Sequence, residues 1–184
     1  MLKRIALAVL ALPLLTAAAA AQLEWDKHTT GKPVPNPAPV AAARADIISE
    51  VKELLGRDNI PIQGETQDET KGAYVITTEP VVFARGIVAK TQLGHFAEVG
   101  APEVQNVVRG RVVLRIEISP SNPTTSLVGV SATFEGLQQG PAQQWLKTPS
   151  KGLLEDKILK HMMMDLMGTS FDDVRPDESI LEVN

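Results

Sequence analysis

Apolar residues first recur at regular spacing between Val40 and Leu55. Val40, Ile47, Ile48, Val51, Leu54 and Leu55 stand at helical intervals, while Arg44, Glu50, Lys52 and Glu53 fall mostly between them. This pattern predicts an amphipathic helix over Val40–Leu55, with Gly56 as its stop. The period then changes to two. Ile60–Gln63, Ala73–Thr78 and Val81–Ala89 are short β-rich runs. Polar Gly64–Gly72 separates the first two, and Gly86 marks a bulge or bend inside the third. Thr91–Pro102 fits a loop or a short helix equally well.

The longest alternation is Val107–Ile118. Val108, Val112, Leu114, Ile116 and Ile118 share one face with Gly110, and Arg109, Arg111, Val113, Arg115 and Glu117 share the other. A strand buried on one side only belongs to an antiparallel sheet. Pro120, Asn122 and Pro123 mark a turn, and Ser126–Glu135 resumes the alternation with Val128, Val130, Ala132 and Phe134 inward. Both inward rows are even-numbered, so even must pair with even; a slip of one residue would expose the whole row. A final helix is predicted over Leu153–Met167, striped by Leu154, Ile158, Leu159, Met162, Met163, Leu166 and Met167. Ser150 or Gly152 would cap its start and Gly168 its end. The predicted fold is a two-layer α+β domain over residues 40–168, an antiparallel sheet of about four to five strands with two amphipathic helices packed on one face.

The two ends read differently. Lys3 and Arg4, the eleven-residue apolar run Ile5–Leu15 and the alanines Ala17–Ala21 follow the order of a secretory signal peptide over residues 1–21. The apolar run is too short to span a bilayer as a helix. Cleavage after Ala21 would leave Gln22 at the N-terminus, and with no cysteine there the exported protein would carry no lipid. Residues 22–39 hold Pro33, Pro35, Pro37 and Pro39 in alternation, which predicts a stiff extended linker. Residues 169–184 carry five acids against Arg175 alone and read as a solvated, flexible acidic tail.

Composition narrows the function. Cysteine is absent, which removes disulfide scaffolds, cysteine nucleophiles and cysteine-ligated metals. The formal charge is −4, and loss of Lys3 and Arg4 with the signal takes it to −6. With aromatics at only 4 %, such a chain is poorly suited to nucleic acid. Ile47–Leu55, then Asp68-x-x-x-Gly72-x-Tyr74-x-Ile76-x-Thr78, the arginine-rich strand and a closing helix are similar in order to BamC-like bacterial envelope modules. That resemblance implies a helix resting on an antiparallel sheet and an accessory, non-enzymatic role in an outer-membrane assembly. It implies no site residues, and the lipid-bearing cysteine of BamC has no counterpart here.

Candidate chemistry is sparse. Ser49-x-x-Lys52 matches one element of serine acyl-transfer enzymes, but S-D-N and K-T-G are missing. Gly129-Val130-Ser131-Ala132-Thr133 falls one glycine short of a nucleophile elbow and lies within a predicted strand. His161 and Asp165, four apart on a helix, could form an acid–base or metal-binding pair, yet no third ligand is at hand. Glu65, Asp68 and Glu69 form an acidic loop without calcium-loop spacing. The methionines Met162, Met163, Met164 and Met167 suit core packing, and Trp145 suits an anchor for the Pro141–Pro149 crossover. Arg109, Arg111 and Arg115 remain. Leu127, Gly129, Ser131 and Thr133 on the next strand offer them no carboxylate, so the row suits phosphate or carboxylate groups of a lipid, glycan or protein. The leading expectation is an exported, non-catalytic periplasmic or envelope binding module that needs no cofactor or metal. Its partner would be an envelope protein or an anionic lipid or glycan. A small secreted hydrolase assembled around His161 and Asp165, or around the acidic loop, is the alternative. An apolar-ligand carrier is a third possibility.

Overall fold

The two predicted alternations become two long strands at the centre of one sheet. The computed structural model describes residues 31–68, 70, 72–99, 106–140, 143–175 and 177–181. The expected signal peptide of residues 1–21 and the linker's residues 22–30 lie outside them. In chain order the described residues form β1 (Ala38–Val40), α1 (Arg44–Arg57), β2 (Ile62–Asp68), β3 (Ala73–Thr78) and β4 (Val81–Arg85). A single 3-10 turn, Gly86–Val88, leads into α2 (Ala89–Phe96). β5 (Val107–Asn122), β6 (Thr125–Gln138), β7 (Trp145–Thr148) and α3 (Leu153–Met167) follow. The class is α+β, with seven strands and three helices rather than four to five and two.

Every neighbouring pair is antiparallel. β5 and β6 form the central hairpin, and even does meet even: Val112 opposes Phe134, Leu114 opposes Ala132 and Ile116 opposes Val130. Near Val107 the register shifts, so Val107 turns inward in place of Val108. The extra strands arise because each long strand is flanked by two short ones laid end to end. β3 and β4 share the free edge of β5, and β1 and β7 share that of β6.

The seam between each short pair leaves backbone groups of the long strand unpaired, and buried polar groups must find partners. Side chains supply them. Thr78 Oγ1 accepts from Leu114 N–H at 2.9 Å on one edge. On the other, Asn36 Nδ2 donates to Val130 C=O at 2.7 Å, its Oδ1 accepts from Val130 N–H at 3.1 Å, and Glu155 Oε1 accepts from Ala132 N–H at 3.2 Å. The proline-rich stretch therefore ends inside the fold. Pro39 has no N–H to give a helix, and Val40 pairs with Ser126, so α1 starts at Arg44 and not at Val40. Gly56 lies within α1, and Asn59, at φ 55°, takes the left-handed position after it.

β2 also runs further than its sequence suggests. Its polar residues up to Asp68 pair with β3, and an edge strand tolerates polar side chains on both faces. All three helices lie on the even face of the sheet, with α1 and α3 packed on each other and α2 on β5. Gly110 and Gly136 oppose each other beneath α2. A Cβ at Gly136 would stand 2.9 Å from Val107 and 3.0 Å from Leu93, so the missing side chains let α2 settle onto the strands. Phe83, Phe96 and Phe134 fill the neighbouring space, with ring centroids 5.7–5.8 Å apart.

Residues 169–181 correct the expectation of a solvated tail. Val174, Ile180 and Leu181 are buried, Asp173 pairs with Lys160 at 2.6 Å, and Ile180 N–H donates to Asp58 Oδ2 at 2.6 Å. Three apolar side chains spaced along an acidic stretch are enough to dock it once the cations of α3 neutralise its carboxylates.

Candidate functional site

Because Gly110, Val112, Leu114, Ile116 and Ile118 face the helices, Arg109, Arg111, Arg115 and Glu117 project from the opposite face of β5. Same-face neighbours two apart stand about 6.5–7 Å from each other. The three nominated arginines share that face but not their surroundings. Arg111 Nε donates to Glu135 Oε2 at 2.6 Å, and its guanidinium lies 4.0 Å from the centroid of Trp145 on β7. Leu127, Gly129, Ser131 and Thr133 do supply no carboxylate, but Glu135, the next outward position of β6, does. Arg111 is thus committed within the fold. Arg115 Nη1 donates to Glu117 Oε2 at 2.7 Å, an exposed pair that contributes at most about 1 kcal/mol and leaves both groups accessible.

Arg109 differs. The ladder sets it directly opposite Arg85, the last residue of β4, and both are exposed. Among the described residues neither arginine has an ion pair. Directly opposed like charges in a sheet are destabilising, so nothing in the packing calls for this pair. Lys147 stands opposite Glu135 on β7. The outward positions of β4 to β7 therefore carry Arg85, Arg109, Arg111, Arg115 and Lys147 against Glu117 and Glu135. An acidic chain turns a basic face to solvent. Arg85 and Lys147 escape a reading of the sequence because strand pairing, not spacing, brings them to β5. Glu135 was within reach, since it continues the odd-numbered row.

The other nominated residues are placed elsewhere. His161 is fully buried on α3, and neither ring nitrogen has a hydrogen-bond partner among the described residues. Burial, followed by Lys157 and Arg57, holds its pKa below the usual imidazole value, against smaller opposing effects of Asp165 and Glu178. Asp165 lies 3.9 Å from Arg57 and near Glu50, whose carboxyl is pushed up by burial and then by the charge of Asp165. His161 and Asp165 share a helix face but make no acid–base couple. Glu65 and Asp68 belong to β2 and not to a loop, and Glu69 lies outside the described residues. Glu65 pairs with Lys52 at 2.7 Å and accepts from the Tyr74 hydroxyl; these two hydrogen bonds hold its carboxyl below its ordinary value. Ser49 is exposed on α1, and Gly129–Thr133 lie in mid-strand on β6. Among the described residues no group of three His, Cys, Asp or Glu side chains is placed to hold a metal ion.

A groove of about 660 Å³ runs between the N-terminal turn of α3, the segment before β1 and the C-terminal segment. Val34, Leu153, Asp156, Asp173, Val174 and Glu178 contribute to its walls, and His161 does not. Its charges hold the molecule together. Asp156 Oδ1 accepts from Val34 N–H at 2.7 Å, Asp156 and Asp173 both meet Lys160, and Lys157 meets Glu178 at 2.5 Å.

No helix among the described residues is long and apolar enough to cross a membrane. No family model, curated protein or solved structure matches this chain, so the likeness to BamC-like modules rests on its sequence pattern and order of elements alone.

Proposed function

We propose that this chain is an exported accessory module of the bacterial envelope that acts by binding, without catalysis, and that it holds an anionic group on the outer face of its sheet. One observation carries the reading: Arg85 and Arg109 stand side by side, exposed and, among the described residues, without an ion-pairing carboxylate, whereas Arg111 beside them is held by Glu135. Paired guanidinium groups take phosphate or carboxylate in bidentate fashion. The signal-like N-terminus supports export to the periplasm or beyond, and the order of elements supports the accessory role. The hydrolase alternative gains no support, because His161 is sealed from the groove and Glu65 is held by Lys52 and Tyr74.

Affinity capture from the native envelope tests the reading, with the chain from Gln22 compared with its Arg85→Glu/Arg109→Glu variant. Arg111 is left intact because Glu135 and Trp145 depend on it. A component recovered by the unmodified protein and lost by the folded variant is the expected result. Equal recovery by both, or none by either, removes the basis of the proposal.

A further inference from the structure

The end of the basic face carries a second oddity. Directly after Arg85 the chain turns through Gly86, at φ 68°, a left-handed conformation that glycine adopts freely. The turn leaves Ile87 100 % exposed and Val88 49 % exposed. These are two of the three large hydrophobic residues exposed among the described residues, and they are adjacent. α2 begins immediately afterwards. It has no acidic residue in its first turn and carries Lys90 there, the reverse of the usual bias at a helix N-terminus. From Val81 to Ala97 there is no acid at all. Exposed Ile87 and Val88 thus lie in the chain between Arg85, the cross-strand neighbour of Arg109, and exposed Lys90.

We infer that this edge docks the protein on an anionic lipid bilayer, with Ile87 and Val88 entering the headgroup–acyl boundary while Arg85, Arg109 and Lys90 meet lipid phosphates. The inference rests on the proposed anionic partner and commits it to a membrane surface. The small size of the exposed apolar patch, two adjacent side chains, argues for lipid over a folded protein. A stable protein interface needs a broad complementary patch, whereas a bilayer accepts a single aliphatic tip wherever cations surround it. Charge complementarity argues for anionic lipid, since the chain as a whole is acidic while this local cluster is basic and Val81–Ala97 holds no acid.

The chain lacks cysteine, so Ile87→Cys creates a unique attachment point for an environment-sensitive dye. The chain from Gln22 is mixed with vesicles of phosphatidylcholine alone or of phosphatidylcholine with phosphatidylglycerol. The dye emission is expected to shift to the blue only with the anionic vesicles. In co-sedimentation, Ile87→Ser is expected to weaken binding about tenfold. Arg85→Ser with Arg109→Ser should weaken it about 25-fold, at roughly fivefold per cation, with the unfolding midpoint unchanged. Rising salt should release the protein. An unshifted dye, or an Ile87→Ser variant that sediments like the parent, overturns membrane docking. If envelope capture still depends on Arg85 and Arg109, the anion-binding face survives and only its assignment to lipid fails. If arginine dependence is lost in both assays, both readings fall.

Discussion

Lys160 and Arg109 show two ways of treating a cation in one small domain. Lys160 lies beneath the C-terminal segment with its side chain fully buried, 2.8 Å from Asp156 and 2.6 Å from Asp173, and near the Phe171 ring. Burial pushes its pKa down, but the two carboxylates outweigh this and hold it above the ordinary lysine value. Arg109 lies on the opposite side of the sheet, exposed, with another arginine as its cross-strand neighbour. A charge withdrawn from water must be paired or it opposes folding, so the helix side spends its charges on internal ties. A charge left in water costs the fold little, and that freedom makes the sheet face available to something else.

The sharpest way to break the comparison is to remove the buried cation. Lys160→Ala leaves Asp156 and Asp173 facing each other across the seam and should lower unfolding stability by about 3 kcal/mol, measured by urea denaturation. Limited proteolysis should then cut within residues 169–181 before it cuts the sheet. A variant as stable as the parent would show that the ion pairs of Lys160 contribute nothing to the fold.

A pH series separates the two sides by a smaller effect. His161 has its folded pKa held below the unfolded value near 6.5, so the unfolded chain takes up its proton first. The stability that His161 contributes is present above that value and is lost as pH falls through it toward the lower folded pKa. The slope from this group is at most about 1.4 kcal/mol per pH unit. His161→Leu should retain the stability of the parent at neutral pH, because it removes two unpartnered buried nitrogens, and should flatten the decline between neutral pH and pH 5. Identical pH profiles for the two proteins would mean that His161 is solvated in the folded state.

The smallest effect on folding belongs to the sheet face. Arg109→Ser should change stability by less than about 0.5 kcal/mol, toward greater stability, because it relieves the repulsion from Arg85. A loss of several kcal/mol would place Arg109 among the structural charges with Lys160.

Much of this architecture can be read from local pattern. The even-numbered rows of β5 and β6 set their shared register, since any odd shift would expose Val112, Leu114 and Ile116 together. Ser150, Gly152 and Gly168 mark the ends of α3, where Ser150 Oγ accepts from Gly152 N–H at 3.0 Å and Gly168 takes the left-handed position at φ 64°. The arginine row was equally plain, because period-two spacing puts Arg109, Arg111 and Arg115 on one side of any strand that contains them.

What local pattern could not supply was the identity of each residue's neighbour. A polar run such as Gly64–Asp68 becomes a strand only because β3 offers it a ladder, and an acidic tail docks only because Lys157 and Lys160 wait on α3. The same limit governs the candidate site. The sequence by itself determined which arginines share a face, since that follows from backbone geometry within one strand. Tertiary structure decided which of them are spent and which are free, by setting Glu135 against Arg111 and Arg85 against Arg109, because charge pairing depends on distances across strands that no spacing along one strand encodes.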